Sequence, residues 1–171
     1  LRTIAAMVLA SRQPMFLFWG PELVQLYNDA YRPSLGESRG ADDRHPRALG
    51  ARGRAFWTEI WDVIGPQIAQ VMGGGEATWH EDQLVPIWRN GQLEDVWWTY
   101  SYSPVPDDDG TVGGVLVTCQ ETTGRVQAEA EHARLLAAER RARTVAEALQ
   151  ALAATLARTV AHPPMRIEGS S

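Results

Sequence analysis

Among its 171 residues the sequence carries one cysteine, Cys119. No intramolecular disulfide can form and no cysteine-based metal cluster can assemble. That usage suits a reducing cytoplasm, which is the expected location. No apolar run approaches the length of a membrane span, so no membrane insertion is expected. The stretch Leu1–Ala10 could be misread as a signal-peptide core, but it lacks an initiator Met and a charged lead-in and reads as a helical arm. Strong positive charge is also missing. The net charge is -5, and the five arginines between Arg39 and Arg54 are interrupted by Asp42 and Asp43, so no nucleic-acid partner is expected. Catalytic motifs are absent: there is no nucleophile elbow, no phosphate loop and no zinc motif. Gly73-Gly74-Gly75-Glu76 lacks the Lys and Ser/Thr of a phosphate loop and reads as a helix stop. His45, His80, His132 and His162 are scattered, without short metal spacing. His80-Glu81-Asp82 reads as a solvated strand edge rather than an ion site, and His162 as linker. The expectation is therefore no catalytic residue and no metal. An enzyme would have to rest on Glu81, Asp82 or Asp95, none of which has a visible partner.

The remainder is ordinary for a globular protein, 44% hydrophobic and 22% charged. It is unevenly distributed. All seven Trp lie between Trp19 and Trp98, whereas Gln127 to Ala161 is rich in Ala, Arg, Glu and Leu without Gly or Pro. That shift is the clearest boundary. The chain begins at Leu1 and ends in Arg166-Ile167-Glu168-Gly169-Ser170-Ser171, which reads as a piece cut from a longer protein with a vector-derived end. Four segments are expected: a helical cap over 1–13, a domain over 14–123, a long helix over 124–161, and a linker or tail over 162–171.

Within the domain, Met15–Gly20 predicts a short buried strand stopped by Gly20-Pro21, and Leu23–Tyr27 its antiparallel partner. Asn28-Asp29 ends that strand and can cap a following helical turn. Leu35–Gly53, rich in Gly, Arg and Asp, predicts loop with short helical turns. Ala55–Trp61 places aromatic and aliphatic residues at helical spacing. Asp62–Met72 predicts the next helix, with Ile64, Ile68, Val71 and Met72 on one face and the glycine triplet as its stop. Three strands are then expected: Thr78–Trp88, a turn at Asn90-Gly91, Leu93–Val105, a turn at Asp107–Gly110, and Val112–Glu121. Two strands before the helices and three after predict an α+β fold, a five-stranded antiparallel sheet with small helices on one face.

The long segment from Gly124 carries Leu135, Ala138, Ala142, Val145, Leu149, Leu152 and Leu156 at alternating spacings of three and four. This seam favours a two-stranded coiled coil and hence a homodimer. The alternative is a stripe packed back on its own sheet, and the alanines weaken the coil. A helix of this length would overhang so small a sheet, which favours dimerisation.

The order of elements is that of the PAS fold, and several phrases strengthen the likeness. Leu26-Tyr27-Asn28-Asp29-Ala30-Tyr31 resembles a phrase of PAS sensors joined to bacterial histidine kinases and serine phosphatases. So do Ala48-Leu49-Gly50 and Phe56-Trp57-Thr58-Glu59-Ile60-Trp61. Tyr100–Val105, Asp109-Gly110 and Gly113-Gly114-Val115 look like the last hairpin of such domains. Glu121-Thr122-Thr123-Gly124-Arg125 resembles their acidic-x-Thr-x-Arg exit motif, with Glu in place of the commoner Asp. The resemblance covers about residues 14–125.

It implies a non-catalytic sensory domain of a two-component or similar signalling protein, possessing a C-terminal output domain. It also implies a possible small-molecule ligand between sheet and helices. Strand alternation puts Val96, Trp98, Tyr100, Tyr102 and Pro104 on one inward face, and Tyr27, Trp57, Trp61, Ile64 and Ile68 could close the other side. These rings suit a planar aromatic or apolar ligand, and equally a plain packed core. Trp97, Thr99, Ser101 and Ser103 fall on the opposite face, where Ile4, Ala5, Met7 and Val8 or a second subunit could cover Trp97. Haem is not expected, because Asp62–Met72 has no His and His80 is the sole candidate. Flavin photochemistry is not expected, because Cys119 sits on the last strand rather than the small helices. At the exit, Glu121 is expected to pair with Arg125, and Thr122 or Thr123 to cap the helix, coupling strand to helix. The alternative reading of the same residues is a ligand-free dimerisation module.

Overall fold

The computed structural model describes residues 1–36 and 44–161. His162, the expected 162–171 tail, and Arg39, Asp42 and Asp43 lie outside the described residues. The chain divides into two compact units, one ending at Val126 and one beginning at Gln127.

The first unit opens with α1 (Arg2–Ala10), followed by β1 (Met15–Trp19) and β2 (Val24–Tyr27). A 3-10 turn (Arg32–Leu35), two single turns, α2 (Arg44–Arg47) and α3 (Gly53–Phe56), and the longer α4 (Trp61–Met72) come next. The strands β3 (Thr78–Leu84), β4 (Ile87–Arg89), β5 (Gln92–Glu94), β6 (Trp97–Pro106) and β7 (Val112–Glu121) precede α5 (Thr123–Ala161). Five of these strands make one antiparallel sheet in the order β2-β1-β7-β6-β3. The chain thus has the expected sheet, small helices and long last helix.

The strands after α4 differ from expectation. The two segments expected around Asn90-Gly91 are each broken in two. Pro86 cannot donate to a ladder, and the chain leaves the main sheet at Val85, whose amide still bonds the Val96 carbonyl at 2.9 Å. Between those two residues β4 and β5 form a separate two-stranded flap. Its turn has positive φ at both Asn90 and Gly91, as an Asn-Gly hairpin requires. The flap sends Ile87 into the core while Trp88 stays exposed.

Two apolar clusters hold the sheet. On the helix side, Phe16, Phe18, Tyr27, Tyr31, Trp57, Ile64, Ile68, Val71, Trp98, Tyr100 and Tyr102 bury one another. On the other side, Val8 of α1 packs with Leu17 and Val105, flanked by Ile4, Met15, Trp19 and Leu116. Met7, expected in that contact, is exposed at 53% because the helix turns it away from Val8's face. Pro104 shares the phase of Tyr102 but lies past the end of the core and is exposed, whereas Val105 is buried on the opposite face. Trp97 is half-buried on that opposite face.

Close strand packing fixes one glycine. A Cβ on Gly114 would sit 2.5 Å from the Phe18 carbonyl oxygen and 2.6 Å from Trp19 Cε3. Gly114→Ala is therefore expected to destabilise the domain by about 1–3 kcal/mol. Gly124→Ala, where nothing lies within 4 Å, serves as control and is expected to be stabilising by up to about 1 kcal/mol, because Ala is the better helix former. Thermal melts of the two variants against the parent check the pair; equal melting temperatures would contradict it.

The second unit is the helix from Gln127 onward. Its seam residues Leu135, Val145, Leu149, Leu152 and Leu156 are 57–65% exposed, and Ala138 and Ala142 are also exposed.

Candidate functional site: a buried cavity and the sheet exit

The cavity forms where three layers of side chains fail to fill the space between sheet and helices. β1 contributes Phe16 and Phe18, β6 contributes Trp98, Tyr100 and Tyr102, and β7 contributes Val117 and Cys119. Tyr31, Trp57, Ile60 and Ile64 line it from the helical side, and Val85 and Ile87 from the start of the flap. The space is partly open to solvent, and its volume is about 70 Å³. Pockets that bury drug-sized ligands usually measure roughly 300–1,000 Å³, so this one is small by comparison.

Five sequence candidates, Trp57, Ile64, Trp98, Tyr100 and Tyr102, are brought together on the wall. Four others are not. Tyr27 stacks on Phe16, and its hydroxyl pairs with His45 Nδ1 at 2.9 Å. Trp61 is half-buried, with its indole over Gly65. Ile68 and Val96 are buried core residues away from the wall. Sequence reasoning missed the other eight lining residues, Tyr31 and Cys119 among them. Tyr31 belongs to the quoted Tyr27–Tyr31 phrase, but its inward direction is set by the turn after β2. Cys119 lies opposite Tyr100 in the β6–β7 ladder, so its alternation with Val117 was readable.

The wall contains no charged side chain. Trp57 Nε1 donates to the buried Gln25 Oε1 at 2.9 Å, fixing the indole. Arg44 lies over the Phe56 and Trp57 rings and pairs with Glu59. Burial pushes the Cys119 thiol up to about 12, so the wall presents a neutral thiol and not a thiolate. His80, the residue considered for haem, is stacked on Tyr100 with centroids 5.0 Å apart.

The exit from β7 differs from the expected pairing. Glu121 is gripped by Arg89 of the flap in a two-pronged ion pair, both contacts at 2.9 Å. Arg89 also donates to Glu94 at 2.8 Å and to the Ser34 carbonyl at 3.3 Å. Arg125, on the first turn of α5, binds Asp82 instead, at 2.6 Å to Oδ2. Asp82 stands in the irregularity between His80 and Gln83 with φ +48°, which places its carboxylate at the strand edge. The pairing expected between Glu121 and Arg125 is thus replaced by two separate clamps. Nor does Thr123 serve as a helix cap: its hydroxyl oxygen accepts the Trp97 amide at 3.1 Å. Thr122 is buried, and its amide donates to the Trp97 carbonyl at 2.8 Å.

Electrostatics follow from these contacts. The Arg89 guanidinium holds Glu121 and Glu94 below the usual carboxylate range. Hydrogen bonding from Arg125 does the same for Asp82, which leaves it ill suited to deliver a proton near neutral pH. Glu81 and Asp95 are exposed. Among the described residues no group of three or more His, Cys, Asp or Glu could hold a metal ion, and no helix is long and apolar enough to cross a membrane.

A family model described as the PAS fold matches residues 24–127. An RNA-binding light-oxygen-voltage receptor superposes with a TM-score of 0.53 at 18% identity, over 81% of this chain and 37% of that one. A light-oxygen-voltage protein of Rhodobacter sphaeroides gives 0.51 at 15% identity, over 70% and 65% respectively. A sensory box sensor histidine kinase from Vibrio cholerae gives 0.48 at 14% identity, over 71% and 91%. The chain therefore spans 37% of the RNA-binding receptor and 65% of the Rhodobacter sphaeroides protein. No curated protein sequence matches it.

Proposed function

Because the chain belongs to the PAS-fold family, we propose that it is a non-catalytic sensory input module. In this reading the occupancy of its cavity biases α5 and, through it, an output domain of a longer signalling protein in the cytoplasm. The observation that carries the reading is the dual role of the flap. Ile87 forms part of the cavity wall, and Arg89, two residues further on, grips the last residue of β7 just before α5 begins. A molecule that displaces Ile87 pulls on the same short strand that holds Glu121. The exposed seam of α5 supports pairing with a second copy, because a row of Leu and Val at heptad spacing is stable when buried against its like.

The ligand-free dimerisation module is the second reading, favoured by the small cavity volume of about 70 Å³. One experiment separates them. Native mass spectrometry before and after mild denaturation is expected to give a dimer that releases a discrete small molecule. The double variant Leu149→Glu/Leu152→Glu is expected to weaken the dimer by more than about a hundredfold, since it places charges in the seam. A dimer with no releasable mass favours the packed module. A parent protein that is monomeric at tens of micromolar, or a variant that remains dimeric, sinks the helix-pairing part.

A further inference from the structure

The four tyrosines fall into two classes. Tyr27 bonds His45, and Tyr100 accepts from Gln67 at 3.1 Å and donates to Gln83 at 3.0 Å. Tyr31 and Tyr102 are 8% and 5% exposed; neither hydroxyl bonds another described residue, and neither is among the fully buried unpartnered atoms, so each keeps some accessible surface. Both line the cavity, as does Cys119. Burial raises the pKa of both tyrosines, and the nearby Cys119 raises it further. A hydroxyl that faces such a space without a protein partner is free to donate to a molecule held there, so two such groups on one otherwise apolar wall mark where a polar atom belongs.

We infer that the cavity takes a small, neutral, mostly apolar molecule carrying one carbonyl-type oxygen, which accepts hydrogen bonds from the Tyr31 and Tyr102 hydroxyls. This rests on the sensory reading above and gives it a ligand class. Neutrality follows from the wall: Phe, Trp, Ile and Val supply no countercharge, and Arg44, though its Nη1 lacks a partner, is outside the lining and is paired with Glu59. An ion brought here would lose its hydration without compensation. Size follows from volume. A dry cavity of about 150 Å³ holds benzene, so this one holds roughly three to five non-hydrogen atoms. The carbonyl oxygen has two lone pairs, matching two donors, while the short carbon body lies against Phe16, Trp57 and Ile87. The ceiling on affinity per ligand atom makes binding micromolar or weaker. The molecule proposed is smaller than the planar aromatic ligand expected from the sequence.

The probes are 2-butanone, propionate and propylammonium, three molecules of similar size and different charge, titrated into the isotopically labelled chain and followed through its amide resonances at pH 7. Saturable shifts at Tyr31, Tyr102 and Cys119 are expected with 2-butanone alone. Tyr31→Phe and Tyr102→Phe, which remove a hydroxyl and keep the ring, are each expected to weaken butanone binding by about tenfold. Propionate or propylammonium binding as tightly as butanone overturns the ligand class and leaves the sensory reading standing. Undiminished butanone binding in both Phe variants overturns the role of the hydroxyls. If none of the three probes binds and native mass spectrometry also finds no releasable molecule, the ligand class and the sensory reading fall together. The two hydroxyls are then satisfied by water and the domain is the packed module.

Discussion

Replacing Asn28 with Ala is expected to lower the melting temperature of the domain by about 10 °C, the largest effect of any single polar substitution considered. Asn28 is 2% exposed. Its side-chain amide donates to the carbonyls of Val8, Ser11 and Gln13 at 3.1, 3.1 and 2.7 Å. Its side-chain oxygen accepts the amides of Met15 at 3.1 Å and Tyr31 at 3.0 Å. One residue therefore ties the end of α1, the linker into β1 and the turn after β2. Truncation leaves several backbone groups without partners in a space too small for easy hydration, at a cost on the order of 3 kcal/mol. It also loosens α1, whose Val8 covers Leu17 and Val105 on the outer face of the sheet.

Asn28→Asp refines the test. It keeps the accepting oxygen and turns the donor into a second acceptor facing three carbonyls. The folded state then favours the protonated carboxyl, raising its pKa. A raised carboxyl pKa means the penalty is greatest at neutral pH and relaxes as pH falls toward the ordinary Asp range, about 3.9. Calorimetry at pH 7 and pH 4 checks both variants. A loss below about 1 kcal/mol for Asn28→Ala, or an Asp variant no better at low pH, would show that water replaces the missing donor.

Asn28 also shows where sequence reading stops. Its place at a strand end and its ability to cap the next turn were legible from residue type, and its amide contact to Tyr31 is that cap. The three carbonyls it collects come from 15 to 20 residues upstream, and nothing local announces them. The same division runs through the fold. α4 was legible because Ile64, Ile68 and Val71 repeat at helical spacing, and the Asn90-Gly91 turn because its chemistry is local. The detached flap was not, although Pro86 inside an expected strand was a usable warning. At the exit, Glu121 and Arg125 were identifiable as charged residues bracketing a strand-to-helix junction. Their partners, Arg89 and Asp82, are 32 and 43 residues distant in sequence. Both partners are delivered by irregularities, the flap and the β3 bulge, that periodicity cannot register. The cavity was legible as a face of alternating aromatics, while the two hydroxyls that face it without a protein partner depend on what the other tyrosines happen to meet.

Arg89→Met is the second large effect expected. The side chain of Arg89 is 12% exposed and binds Glu121, Glu94 and the Ser34 carbonyl together. Met preserves the apolar stem but leaves two carboxylates near one another without their cation. Removing one partner of a buried pair costs about 3–5 kcal/mol, and Glu121, with its side chain 32% exposed, is partly solvated. A loss of about 2 kcal/mol at pH 7 follows once solvent screening is included. The pH dependence has a definite sign. Both glutamates are held below their ordinary value of 4.5 in the folded protein. Their contribution is complete above that value and is lost as pH falls through the depressed folded range. In the variant the carboxyls repel one another and protonate more readily. The gap between parent and variant should therefore narrow steadily between about pH 5 and pH 3. Arg89→Lys is expected to recover less than half of the loss, because an ammonium cannot make the paired contact to Glu121. Hydrogen exchange at Thr122 and Val126, whose amides bond the Trp97 and Thr122 carbonyls, reads the junction directly. Faster exchange there, with α4 unchanged, is the result that makes the flap a mechanical link between cavity and helix. Uniform acceleration across the domain would reduce Arg89 to general stabilisation, and unchanged exchange would remove it from the junction.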